Sequence, residues 1–219
     1  MTDYSEEEQV ERLRKWWEEN GTSVVLAIVV SVSALMGWRY WQNSTQEKAE
    51  AASAVYLQLT EAMDQARAVP DSAEQAEQVQ VAAEKLVSEH GSTSYADYGR
   101  FTLAKLAVED KDYAKAAKLL TEVMDSPATE AVGWTARARL ARVLLQSAEL
   151  DRAAQVLNAS WPESWQGQAF ELRGDLARAR GDLEAARAAY QSALAALQSD
   201  GGGHRELVQM KLDDLVPAS

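Results

Sequence analysis

The sequence predicts an all-α protein in two parts, a membrane-spanning helix near the amino terminus and an array of packed helices behind it. Three observations carry that prediction: an uncharged apolar run over residues 20–38, small and large apolar residues at helical spacing beyond it, and a shortage of strand formers. Four prolines, two phenylalanines and few β-branched runs in 219 residues leave little material for an all-β fold. The 22 basic and 34 acidic residues give a net charge of −12, which disfavours a nucleic-acid binder, because phosphate contacts need clustered Lys and Arg. A hydrophobic fraction of 47% with 26% charged residues excludes a mainly disordered acidic chain. Cysteine is absent, so disulfide frameworks, thiolate metal sites and lipid attachment through cysteine drop out, while the redox compartment stays open.

Residues 1–20 read as a leader, 21–41 as the transmembrane helix and 42–219 as a repeat domain. As a helix, residues 20–38 span about 28 Å at ~1.5 Å per residue, close to the hydrocarbon thickness of a bilayer. Trp16 and Trp17 precede the run, and Trp38, Tyr40 and Trp41 follow it. Aromatic rings with a polar edge favour the two membrane interfaces. A buried core helix rarely carries such girdles at both ends. Ser31-Val32-Ser33 resembles a signal-peptide cleavage site, but the apolar stretch continues to Trp38 and the leader carries seven acids. Arg12, Arg14 and Lys15 on the amino side outweigh Arg39 and Lys48 beyond the span, favouring a cytoplasmic leader and an exported domain. Val10, Leu13 and Trp17 are helically spaced, which suits either a segment lying on the membrane surface or a solvated tail. Within the span, Ser33 and Gly37 share a face, and Ala27 with Ser31 repeats the spacing. Small residues at that interval let another helix approach closely in lipid, although they are also common in spans that bind nothing.

Residues 47–67 contain neither Gly nor Pro, and Ala51, Val55, Leu59 and Met63 recur every four positions, so this helix is free to continue out of the span. Asp71 and Ser72 offer caps to the next helix, with Gln75 completing a capping box, and that helix ends near Gly91. A repeat follows. Ala104 and Ala116, Ala141 and Ala153, and Gly174 and Ala186 are each 12 apart. Four positions after each second member stands Leu120, Leu157 or Tyr190; three before it stands Tyr113, Leu150 or Leu183, just past the polar turns Lys111-Asp112, Ala148-Glu149 and Gly181-Asp182. The register advances by 37 and then 33 residues. Small residues where helices cross, with a large one filling the groove at that period, form the tetratricopeptide pattern. The fold class is therefore all-α, a single N-terminal transmembrane helix followed by a tetratricopeptide-like helical-repeat solenoid. Arg173 breaks the pattern where Leu103 and Leu140 stand in the other repeats. After Gly201-Gly202-Gly203, the residues Leu207, Val208, Leu212 and Leu215 mark a capping helix over the last repeat.

Nothing in the sequence points to catalysis, a cofactor or a metal. His90 and His204, the only histidines, sit at a helix end and at the start of a glycine-rich loop without ligand spacing around them. His90 reads as a favourable charge at a helix C-terminus. No phosphate loop or nucleophile elbow occurs. Arg173-Gly174-Asp175 spells an adhesion tripeptide but falls inside a helix at a crossing position, where packing explains it. Asp64, Glu74, Glu77, Glu84 and Glu89 are spread as solvated faces usually are.

The most specific segments are the membrane exit Ala34-Leu35-Met36-Gly37-Trp38-Arg39-Tyr40-Trp41, Leu140-Ala141-Arg142-Val143, Arg173-Gly174-Asp175 leading to Arg180-Gly181-Asp182, and Gln209-Met210-Lys211-Leu212. Through these, from its acidic leader to its carboxyl end, the chain resembles the YfgM family of ancillary SecYEG translocon subunits. Departures fall in loops, at residues 70–77 and in the Gly201-Gly202-Gly203 insertion. The resemblance implies a single-pass bacterial inner-membrane protein with a cytoplasmic amino end and a periplasmic tetratricopeptide-like domain. Its implied partners are SecYEG, the periplasmic chaperone PpiD, translocating polypeptides and the lipid bilayer. Two rival readings remain from the residues themselves: a membrane-anchored scaffold for envelope assembly or division, and a cytoplasmic adaptor inserted the other way.

Overall fold

The computed structural model describes residues 6–69, 72–197 and 203–215, and among these no residue lies in a strand. Contacts divide the chain into two units, residues 1–50 and 51–219. Helix α1 (Glu6–Ala68) runs for 63 residues without a break in its hydrogen bonding. It contains no proline and stops before the sequence reaches Pro70, which would remove a backbone donor. From Glu6 onward the leader belongs to the same helix as the apolar run. Gly21 lies buried beneath the indole of Trp17, which a β-carbon would crowd at 3.2 Å.

The second unit begins with the end of α1. Ala52, Val55, Leu59 and Ala62 are buried there against Val79, Ala83 and Leu86 of α2 (Ala73–His90) and Leu103 of α3 (Tyr95–Glu109). The expected four-residue series drifts about 40° around a helix at each step. Ala51 accordingly ends up exposed and Met63 half-buried, while Ala52 and Ala62 take the facing positions. Ser72 caps α2 by accepting from the Gln75 amide at 3.4 Å, but the Gln75 side-chain oxygen is buried without a partner among the described residues. Only one half of the expected capping box forms. Asp71 lies outside the described residues.

Three hairpins follow: α3 with α4 (Tyr113–Asp125), α5 (Glu130–Gln146) with α6 (Leu150–Leu157), and α7 (Gln166–Ala179) with α8 (Leu183–Ala196). Each turns through one left-handed residue, Lys111 (φ 62°), Ala148 (φ 59°) or Gly181 (φ 81°). The next amide, of Asp112, Glu149 or Asp182, then donates to the carbonyl of Ala107, Leu144 or Ala177 at 2.7, 2.8 and 2.9 Å. This bond closes the helix C-terminus and reverses the chain. Asp112 and Asp182 also cap the following helices, accepting from Lys115 and Ala185 at 3.0 Å, whereas Glu149 makes no cap bond and pairs with Arg152.

The largest core runs from Phe101 in α3 through α4, α5 and α6 to Leu176 in α7. Asp97, buried in α3, accepts from the Ala128 amide at 2.9 Å and so fixes the connection into α5. Helix α6 has only eight residues, and its terminal carbonyls are met by arginines: Arg137 donates to Val156 at 3.3 Å and Arg173 to Leu157 at 2.9 Å. This explains Arg173, since a cation at a helix C-terminus offsets its partial negative charge. Helix α9 (Gly203–Asp213) packs Val208 and Leu212, with Leu215 just past its end, against Tyr190 and Ala193 of α8, Leu197 beyond it and Phe170 of α7. Leu207 is 46% exposed and takes no part in that face.

Candidate functional site

The apolar stretch of α1 is long and apolar enough to cross a membrane, and only 6% of it is buried. Val25, Leu26, Ile28, Val29, Val30, Leu35 and Met36 all point outward. A core helix of a soluble protein would hide those side chains; a bilayer solvates them. Trp16 and Trp17 are exposed at one end, and Trp38, Tyr40 and Trp41 at the other, with the Trp38 and Trp41 rings in tilted contact, centroids 5.5 Å apart. Along this segment Ala27, Ser31, Ser33 and Gly37 are exposed, and a β-carbon at Gly37 would meet nothing within 4 Å. The Ser31 hydroxyl donates to the Ala27 carbonyl at 2.7 Å, so it makes no demand on a neighbouring helix.

The crossing positions Ala104, Ala116, Ala141, Ala153 and Ala186 are between 0 and 3% exposed. Gly174 leaves no room for a side chain, because a β-carbon there would overlap the Tyr190 ring. Asp175 of the adhesion-like tripeptide accepts from the Tyr190 hydroxyl at 2.8 Å, and Arg173 serves α6, so the tripeptide is not presented for recognition.

Around that contact the structure assembles a charged cluster that sequence reading missed. Glu171 of α7 is 2% exposed, and its carboxylate lies 2.7 Å from Lys211 Nζ and 2.8 Å from His204 Nε2, both on α9. Arg142 of α5 stands 3.6 Å away. Lys211 also donates to both oxygens of Asp175, at 2.8 and 2.7 Å. Burial alone would raise the Glu171 pKa, but hydrogen bonds from Lys211 and His204, with the charges of Lys211 and Arg142, hold it below the ordinary 4.5. Tyr190 moves upward, through burial and its bond to Asp175. His204 therefore belongs to the first turn of α9 and faces a carboxylate, not a glycine-rich loop. The signal was present: His204, Val208 and Lys211 share one face of α9, as Glu171 and Asp175 share one face of α7. Among the described residues no group of three or more His, Asp or Glu is arranged to hold a metal.

Paired helices stacked in register, closed by a terminal helix and preceded by one membrane-capable segment, define a helical-repeat protein with an anchor. A family profile described as a tetratricopeptide repeat-like domain matches residues 14–217. The chain is 31% identical over 171 residues to the ancillary SecYEG translocon subunit of Haemophilus influenzae, covering 78% of this chain and 79% of that one. It is also 31% identical over 171 residues to the protein of that name from Escherichia coli, covering 78% of each. Against that of Aggregatibacter actinomycetemcomitans it is 30% identical over 174 residues, covering 80% and 81%. The chain belongs to this family, the YfgM-type ancillary SecYEG translocon subunits. No solved structure gives a significant match.

Proposed function

We propose that the chain is a non-enzymatic ancillary subunit of SecYEG, a single-pass inner-membrane protein with its amino end in the cytoplasm. Its periplasmic repeats act as an adaptor that works with the chaperone PpiD on polypeptides leaving the channel. The names of its relatives support the translocon, and the Arg12, Arg14 and Lys15 bias supports the orientation. The observation that carries the reading is the outward-facing apolar surface of α1 with an open position at Gly37. In lipid, helices associate by close packing of small residues, so this face suits a channel helix or the anchor of a chaperone.

The test replaces Ser33 and Gly37 together by leucine, which keeps the span apolar and blocks close approach. Mild-detergent pull-downs should recover several-fold less SecYEG or PpiD, with membrane insertion and repeat folding unchanged. Undiminished recovery of both would assign binding to the repeats. Failure of the unaltered chain to recover SecYEG at all would overturn the function.

A further inference from the structure

A 350 Å³ recess opens between α5, α7 and α9, lined by Arg142, Leu145, Gln146, Asp175, Arg178 and Lys211. Its charge runs against that of the chain. Three cations meet there in a protein of net charge −12, and the single acid at the rim, Asp175, is already engaged by Lys211 and Tyr190. The buried Glu171 beneath is satisfied by Lys211 and His204. Arg178 is exposed and makes no ion pair among the described residues. One turn before Arg142, Arg139 stacks 4.5 Å above the Phe101 ring; its guanidinium is held below its usual pKa by burial and by the charge of Arg142. Positive charge accumulates here faster than the local carboxylates neutralise it.

We propose that this recess is a docking site for an acidic stretch of polypeptide. Arg178 would take a carboxylate in a bidentate fork, and Arg142, whose guanidinium already donates to the Gln168 amide oxygen and faces Glu171, would add positive charge from α5. Leu145, which also lines the recess, gives apolar footing to the stems of acidic side chains. Long-range attraction would be confined to this face, because the surrounding surface of an acidic protein repels the same segment. Cations near helix C-termini also offset helix dipoles, and that purely structural role predicts lost stability without lost binding. The assay contains no translocon, so the proposal fails or stands independently of the function above.

The full chain in detergent is titrated against a fluorescein-labelled decapeptide of alternating Glu and Asp, with a Gln/Asn decapeptide as control, reading anisotropy. The acidic peptide should bind and the control should not, with affinity falling as salt rises. Arg142→Gln with Arg178→Gln should weaken binding at least about tenfold while the helical melting temperature stays within a few degrees. Because Arg142 also faces Glu171, Arg178→Gln alone serves as the variant that leaves the buried cluster intact, and it too should weaken binding. Equal binding of both peptides, or an unchanged affinity in Arg178→Gln, would overturn the site.

Discussion

The two ends of the repeat domain are closed by different physics. At the amino end, Ala52, Val55, Leu59 and Ala62 of α1 meet Val79, Ala83 and Leu86 of α2 in an apolar seam. At the carboxyl end, α9 is held by Glu171, Asp175, Lys211 and His204 as well as by Val208 and Leu215. The contrast follows from length. The closing stretch of α1 is the tail of a 63-residue helix, whereas α9 has 11 residues and buries only Val208 fully within the helix. An isolated helix that short is marginal in water. Charge pairs add little to its net stability but fix where it sits, because a misplaced lysine would leave Glu171 buried and alone.

The sharpest way to break the contrast is Lys211→Met, which keeps the stem and removes the charge. It should cost about 3–5 kcal/mol, since a buried carboxylate loses its principal partner. Leu59→Met at the other end should cost less than about 1.5 kcal/mol, because volume and polarity are kept. Denaturant melts of the two variants decide the matter, and equal losses would show that the charged cluster is dispensable.

Acid should separate the ends more gently. The Glu171 pKa is lowered on folding, so its contribution is complete above the unfolded value of about 4.5 and disappears as pH falls through the lower folded value. The groups facing it are Arg142, Lys211 and His204, with Asp175 and Tyr190 alongside. Hydrogen exchange between pH 6 and pH 3 should show α9 amides losing protection before those of α2. Simultaneous loss at both ends would contradict the assignment.

The smallest expected effect lies between the ends. Ala148 holds the left-handed position that Gly181 occupies one hairpin later. Ala148→Gly should therefore raise stability by about 0.5–1 kcal/mol, read as a higher melting temperature. A loss would mean that the turn is relaxed as it stands.

Helices and hairpin turns were legible because each obeys a local rule. Twelve-residue spacings, Gly181-Asp182 and the apolar run over residues 20–38 announce themselves within one or two turns of chain. What escaped was carried by distance. Glu171 and Lys211 are 40 residues apart, and each taken alone resembles the solvated charges around it. Arg173 looked like a defect in the repeat because its partner, the Leu157 carbonyl, belongs to the backbone and has no residue type. The series of four beginning at Ala51 failed for a geometric reason, the drift of a four-residue step around a helix of 3.6 residues per turn.

The order of residues in the charged cluster also imposes an order in time. Glu171 and Asp175 leave the ribosome some 40 and 36 residues ahead of the lysine that neutralises them. Until the last helix follows, Glu171 has only the more distant Arg142 and Asp175 only the Tyr190 hydroxyl to meet it, so burying the two carboxylates costs more than it will once Lys211 and His204 arrive. The charge of the terminal repeat is thus balanced only when its last helix has emerged. A product truncated before residue 204 would lack both His204 and Lys211, and with them the means of closing its last hairpin.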